Sequence, residues 1–285
     1  MFKILEKEQL SPMVHRCVLE APKIARAARP GQFIILRIHG KGERIPLTIA
    51  DFDAERGTIT IIWQEVGKTT EELAKLKAGD MLSDVVGPLG QHFEVQKYGT
   101  VVCVGGGVGV PPLYPKTRAL KGMGNYIITI LGARTASLLL LEKEMAAYSD
   151  EFYVTTDDGS KGLKGFVSDQ LRITLEENKR KNDLVVAIGP VAMMKAVSEV
   201  TKQYGVRTLV SLNSLMLDGT GMCGGCRVRV DGETKFACVD GPIFDGHLVD
   251  WEIMAARQTR FVAQEKEALE LFRAREHAHC KGDCQ

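Results

Sequence analysis

Three cysteines and one aspartate stand at telling intervals in "LDGTGMCGGCRVRV" and "KFACVDG". Asp218, Cys223, Cys226 and Cys238 form the pattern D-x4-C-x2-C-x11-C. Thiolates and carboxylates are metal ligands, and C-x4-C-x2-C with a distant fourth cysteine is the plant-type spacing of a [2Fe–2S] cluster. Here a carboxylate occupies the first ligand position. The glycines at 219, 221, 224 and 225 leave backbone amides free to wrap the cluster sulfides. Three thiolates and a carboxylate can also hold zinc, although structural zinc sites normally gather two paired knuckles. A bare redox dithiol is the third reading of Cys223 and Cys226. The spacing favours iron–sulfur, with Asp218 either a ligand or the cap of a turn.

A second group lies in "VVCVGGGVGVPP", which ends a buried strand and opens a helix. Gly105, Gly106, Gly107 and Gly109 allow backbone amides to approach a pyrophosphate closely. Pro111 and Pro112 suit a first helical turn, where no amide hydrogen is needed. The spacing departs from G-x-G-x-x-G, and no acidic residue follows the next strand. "LGAR" stands there instead and places Arg134 where an adenosine ribose or a 2′-phosphate would lie. "TTDDGSKGLKG", with Asp157, Asp158 and Gly159, and "IGPVAMMK", with Gly189, Pro190 and Met193, follow later strands. Ligands of open α/β sheets collect at that edge. "VGKTT" is not a P-loop, because the earlier glycine it would need is Ile62.

The elements that must position these groups change character near residue 99. Residues 1–98 read as about six short β-branched strands with turn punctuation, interrupted by one short helix, "TTEELAKL". That pattern predicts a small barrel. Residues 99–213 alternate strand and helix, which predicts a parallel sheet covered on both faces. Periodicity then gives way to the glycine- and cysteine-rich stretch at 214–249. Residues 250–276 read as one amphipathic helix within a last segment, 250–285. The fold class is a multi-domain β plus α/β chain.

Composition narrows the partners. The 285 residues carry 37 basic and 36 acidic side chains. That near balance gives no electrostatic reason to expect nucleic acid or an anionic membrane. No apolar run is long enough to span a bilayer, and no signal-peptide core is present at the start, so a cytoplasmic location is expected. Seven cysteines, five of them in the last third, argue against a disulfide framework. Cys17 and Cys103 sit in strand-like stretches as packing residues. Cys280 and Cys284, near His277 and His279, end the chain as a metal-binding or, in keeping with their terminal position, a solvated tail.

The motifs taken together resemble the ferredoxin reductase superfamily, and within it the electron-transfer subunit of dihydroorotate dehydrogenase and its relatives. The likeness covers residues 1–250. It rests on "PGQF", "ERIPLTIAD", "VGKTT", "GPLG", "GGGVGVPPLYP", "GARTA", "TDDGSKG", "GPVAMM" and "MCGGC…FACVDGPIFDGH" in that order. Asp218 in place of a cysteine looks most like the branch of NADH-dependent reduced ferredoxin:NADP+ oxidoreductase small subunits.

The resemblance implies FAD in the barrel, a nucleotide-binding parallel-sheet domain and a small [2Fe–2S] domain. Superfamily members hold the flavin pyrophosphate with R-x-x-[ST]. Here Arg44 and Thr48 flank Pro46 and Leu47, and Ile45 occupies the strict arginine position. "VGKTT" matches the flavin loop through Gly67, Thr69 and Thr70. "GPVAMM" resembles the nicotinamide-side loop, with Ile188 where many members carry cysteine. Hydride transfer between nicotinamide and flavin needs no protein acid or base, so no catalytic side chain is implied.

The implied function is exchange of hydride between NAD(H) and FAD, with electrons passing through the cluster to a larger subunit carrying flavin and [4Fe–4S] clusters. NADP(H) is admissible because of Arg134. Service to a dihydroorotate dehydrogenase catalytic subunit is the first alternative. A non-redox scaffold with structural zinc is an alternative of another class.

Overall fold

The computed structural model describes residues 1–177 and 181–282. Its first third is an antiparallel sheet built from β1 (Phe2–Ser11), β2 (Val14–Glu20), β3 (Phe33–Arg37), β4 (Arg44–Asp53), β5 (Thr58–Gln64), β6 (Met81–Leu82) and β7 (Asp84–Leu89). The helices α1 (Pro22–Ala27) and α2 (Lys68–Lys75) are inserted between strands. Sheet order is β6-β1-β2-β5-β4-β3-β7. The two outermost strands are separated in the chain by Ser83 alone, so the sheet must curl back on itself, and it forms a nearly closed barrel. Its interior is apolar, with Leu19, Ile34, Leu36, Ile49, Ile59 and Ile61 fully buried. The sheet has seven strands where about six were expected. The extra helix α1 went unread because it is short and starts at Pro22, which reads as a turn signal.

The middle of the chain is a parallel sheet with one antiparallel edge. It comprises β8 (Thr100–Gly106), α3 (Val110–Gly122), β9 (Tyr126–Ala133), α4 (Glu142–Ala146), β10 (Glu151–Thr156), β11 (Leu163–Lys164), α5 (Val167–Glu177), β12 (Leu184–Ile188), α6 (Val191–Gln203) and β13 (Thr208–Ser211). Strand order is β11-β10-β9-β8-β12-β13, with a final antiparallel strand from the cysteine-rich segment. β8 is laid down first. The chain then builds outward to β9 and β10 on one side, and returns to build β12 and β13 on the other. The order therefore reverses between β8 and β12, and ligands of such sheets bind at the carboxyl ends flanking that reversal.

The glycine- and cysteine-rich stretch has structure that its periodicity did not announce. β14 (Arg227–Val230) and β15 (Glu233–Phe236) form a hairpin, and β16 (Ile243–Asp245) supplies the antiparallel edge strand on β13. The expected single helix over 250–276 is two: α7 (Trp251–Gln258) and α8 (Val262–Gly282). The break falls at residues 259–261 of "QTRF", and Asp250 caps α7 by accepting from the amide of Ile253 at 3.0 Å. α8 lands on α2 of its own barrel through an Arg273–Glu71 ion pair and the Lys75 ammonium over the Phe272 ring. Among the described residues no helix is long and apolar enough to cross a membrane.

Candidate functional site

The cysteine motif brings its expected ligands together as two pairs. Asp218 Oδ1 accepts from Cys223 Sγ at 3.0 Å, and Cys226 Sγ lies 3.2 Å from Cys238 Sγ. Cys226 ends the glycine-rich turn as β14 begins. Cys238 follows β15, so the hairpin returns the chain to the same place. Gly219, Gly221 and Gly224 have φ of +76°, +87° and +64°. A side chain at Gly219 would strike Ile35 and Leu89 of the barrel, which is how closely this loop seats on β3 and β7. Amides turn toward sulfur: Gly225 N donates to Cys223 Sγ and Cys238 N to Cys226 Sγ, both at 3.4 Å.

Hydrogen bonds from the Cys223 thiol and then the Thr220 hydroxyl hold the Asp218 carboxyl far below the usual carboxylate range. Burial and the neighbouring Cys226 push the Cys238 thiol up to about 12, so a metal must displace its proton. Cys226 and Cys238 are 1% and 2% exposed, while Cys223 is exposed. Among the described residues no three His, Cys, Asp or Glu side chains converge on one point for a single metal ion. A two-iron cluster takes two protein ligands on each iron, and the two pairs would supply that set. Cys284 and the side chains of His277, His279 and Cys280 lie outside the described residues.

The glycine loop divides into packing and open positions. Gly105 and Gly106 end β8, and residues 107–109 turn into α3, whose first turn holds Pro111. A side chain on Gly109 would collide with the Ile188 carbonyl, and one on Gly106 with the Met193 sulfur. Gly109 is therefore required by the close approach of the β12 backbone, whereas at Gly106 the neighbour is the flexible Met193 thioether. Gly107, with φ +53° and nothing within reach of an added side chain, faces open space. Met193 also packs against Gly189, beside Pro190. It wedges the two loops together at the reversal between β8 and β12, where Ile188 pairs with Gly105.

Farther along the same edge, Arg134 follows β9, while Asp157, Asp158 and Gly159 follow β10. All four are exposed. The Asp158 amide donates to the Arg134 carbonyl at 3.3 Å, and Ser160 Oγ accepts from the Ala136 amide at 2.8 Å, which ties the two loops. The Asp158 carboxylate is engaged by the Ser160 hydroxyl and amide, which lower its pKa. It shapes its own turn.

On the barrel, β5 pairs with β4 only from Ile49 onward. Residues 44–48 are paired on one side alone, with β3. That half-open edge tolerates Pro46 and leaves Arg44, exposed, together with Leu47 and Thr48, beside an unpaired backbone. Gly67 caps α2. Thr70 Oγ1 accepts from the amides of Val66 and Gly67 at 3.0 and 2.9 Å, so it closes the loop on itself. Thr69 is buried and its hydroxyl donates to Glu43, which also holds Lys68 at 3.3 Å. Glu43 was not singled out in the sequence, yet it draws the "VGKTT" loop to the start of β4. Its position directly before Arg44 was the only available signal.

The parts interlock. Arg118 of α3 makes a two-pronged ion pair with Asp51 of β4, at 2.6 and 3.2 Å. Gln91 donates to the carbonyls of Gly241 and Val239 in the cysteine segment, at 2.6 and 2.8 Å. Lys116 of α3 is wholly buried, with Nζ donating to the Pro112 carbonyl at 3.0 Å and its stem against Gly31 of the barrel.

Residues 213–250 match the iron–sulfur cluster binding domain of dihydroorotate dehydrogenase B, and residues 103–199 match the oxidoreductase NAD-binding domain. A dihydroorotate dehydrogenase B (NAD(+)) electron transfer subunit homolog from Thermotoga maritima is 48% identical over 270 residues, 95% of each chain. The electron transfer subunit from Geobacillus thermodenitrificans is 33% identical over 85% of this chain and 94% of its own. A chain solved in the work on flavin-based electron bifurcation by NADH-dependent reduced ferredoxin-NADP oxidoreductase is 46% identical, with a TM-score of 0.90 over 95% of this chain and 98% of that one. A ferredoxin NADP+ reductase from Neisseria gonorrhoeae, 18% identical with a TM-score of 0.58 over 72% of this chain and 90% of its own, shares the fold. The reductase-like barrel and sheet, followed by the paired ligands of the cysteine loop, agree with these likenesses: the chain belongs to the dihydroorotate dehydrogenase B electron-transfer subunit family of the ferredoxin reductase superfamily.

Proposed function

We propose that this chain is the NAD(H)-handling subunit of a two-component oxidoreductase of the NADH-dependent reduced ferredoxin:NADP+ type, carrying FAD and a [2Fe–2S] cluster. The observation that carries the reading is the pairing of Asp218 with Cys223 and of Cys226 with Cys238, on a chain 46% identical to one from that complex.

FAD belongs along the half-open edge of β4, with Arg44, Pro46, Leu47 and Thr48 on one side and Gly67, Thr69 and Thr70 on the other. An arginine beside free backbone and the amides at a helix start suits a diphosphate. NAD(H) belongs at the reversal of the sheet, over Gly105–Gly109 and Pro111, between Arg134, Asp157, Asp158 and Gly159 and the Gly189–Met193 loop. Arg134 keeps NADP(H) admissible. In this reading residues 1–98 hold flavin, 99–213 nucleotide and 214–249 the cluster, with 250–285 a trailing helical segment.

A flavin held there would supply hydride exchange with the nicotinamide and single-electron delivery to the cluster. The protein's own work is positioning. Met193 and Gly109 lock the nucleotide loops, Arg118–Asp51 holds α3 on the barrel, and Gly219 seats the cluster loop against Ile35 and Leu89. Relatives named electron transfer subunits imply a larger partner. We assign that partner the further flavin, [4Fe–4S] clusters and NADP(H) site, with bifurcation a property of the whole complex.

Service to a dihydroorotate-oxidising flavoprotein is the second reading, favoured by the names of the same relatives. Anaerobic isolation of the native complex decides between them. A co-purifying flavin/[4Fe–4S] subunit that turns over NADP(H) supports the first. A subunit that oxidises dihydroorotate replaces it with the second.

A further inference from the structure

Beside the cluster loop, α7 and the start of β14 enclose a cleft of about 210 Å³. Arg227, Arg257 and Arg260 all line it, together with Cys223 and apolar Leu217. Like charges converge there. Among the described residues, none of the three guanidiniums has a carboxylate at ion-pair distance. Arg257 spends one donor on the Gly225 carbonyl, at 2.8 Å. Its pKa is lowered by partial burial and by Arg227 and Arg260.

The wall of the cleft carries a second, independent deficit. Ser214 is 8% exposed, lines the same space, and has a buried hydroxyl with no hydrogen-bond partner. Buried hydroxyls are nearly always satisfied, and one left without a partner points to an unseen ligand or water. Three forked cations and one hydroxyl over an apolar wall are the donor set for an oxyanion.

We infer that the cleft formed by Arg227, Arg257, Arg260 and Ser214 is an oxyanion-binding site adjoining the cluster ligand Cys223. The oxyanion is a carboxylate or a phosphate, supplied by a partner's acidic side chain or as a free anion. Binding requires no cluster. Its consequence for the cluster rests on the function proposed above. A negative charge held beside Cys223 opposes the arrival of an electron, so it lowers the reduction potential. By reciprocity the anion then binds the reduced form more weakly, by the same factor. Occupancy and electron load are therefore coupled at this face of the molecule.

Calorimetric titration of the whole chain tests this with three probes: inorganic phosphate, succinate, and an acetylated tri-glutamate amide. Each is compared with sodium chloride at matched ionic strength. The expected result is saturable binding of at least one probe, weakened about tenfold or more in R227Q/R260Q and weakened in S214A. Tighter binding of the peptide identifies a partner side chain as the source, and tighter binding of phosphate or succinate identifies a free anion. Absence of saturable binding by all three, or unchanged binding in the double variant with a wild-type circular dichroism spectrum, overturns the site. If the wild-type chain carries no iron, the proposed function fails, and the titration still decides the site.

Discussion

Asp218 Oδ1 stands 3.0 Å from Cys223 Sγ, with the carboxylate turned onto a thiol five residues ahead of it. A turn cap would satisfy amides alone, and Asp218 does accept from the Met222 amide at 3.1 Å. Its other oxygen, however, is spent on sulfur. Together with Cys226 and Cys238, it makes up the two donor pairs that the proposed two-iron cluster would take.

Asp218→Ala is expected to lose iron or to yield a labile cluster, whereas Asp218→Cys retains it with an altered visible spectrum and reduction potential, because thiolate bonds iron more covalently than carboxylate. Iron and acid-labile sulfide analysis beside the spectrum checks both. Unchanged iron content and spectrum in the alanine variant would exclude Asp218 as a ligand.

The cysteines should separate by reactivity. Cys17 and Cys103 are buried, and burial pushes their thiols up to about 12 and about 11. The thiolate is the reactive species. In cluster-free protein, iodoacetamide is expected to modify exposed Cys223 while leaving Cys17 and Cys103 untouched at neutral pH. Mass spectrometry of the digest reads this directly, and early labelling of Cys103 would contradict its burial.

Gly109→Ala and Gly107→Ala should part company. The first drives a methyl group into the Ile188 carbonyl, and overpacking of that kind costs about 1–3 kcal/mol. The second meets no neighbour, and its left-handed φ costs about 1–2 kcal/mol. Both variants are expected to weaken NADH binding, and Gly109→Ala to have the lower Tm. Equal, wild-type NADH affinity in Gly107→Ala would remove that residue from the nucleotide site.

What could be read from the chain in advance follows from the range of the interactions. "VVCVGGGVGVPP" announces a strand, a tight turn and a helix through local chemistry, and each of them is there. The ligand spacing around Cys223 is equally local. Glu43 holding Thr69, and Met193 packed against Gly106, depend on contacts between segments far apart in sequence, which no local pattern encodes. The break between α7 and α8 was missed because "QTRF" keeps ordinary helical residues. β16 was missed because a three-residue edge strand has too few positions to show alternation.

Lys116 predicts a pH-dependent stability. Burial pushes its pKa down to about 7, from the ordinary 10.5. Between those values the unfolded chain binds a proton that the folded one does not, so this group makes stability rise with pH. Lys116→Met removes the cost. It is expected to be more stable by on the order of 1–3 kcal/mol at pH 7, with the gain shrinking as pH approaches 10. Thermal unfolding of both proteins at pH 7 and 9.5 tests the sign, and a gain that grows with pH would contradict it.

The proposed function has this chain taking electrons from NADH into a flavin and a two-iron cluster. Anaerobic titration of the purified, natively loaded protein with NADH, followed in the visible and by electron paramagnetic resonance, tests it most directly. Joint bleaching of flavin and iron–sulfur absorption and a resonance signal from the reduced cluster are expected, with iron and labile sulfide present in equal amounts. A colourless zinc-containing protein, or a coloured one whose spectrum NADH leaves unchanged, would contradict it.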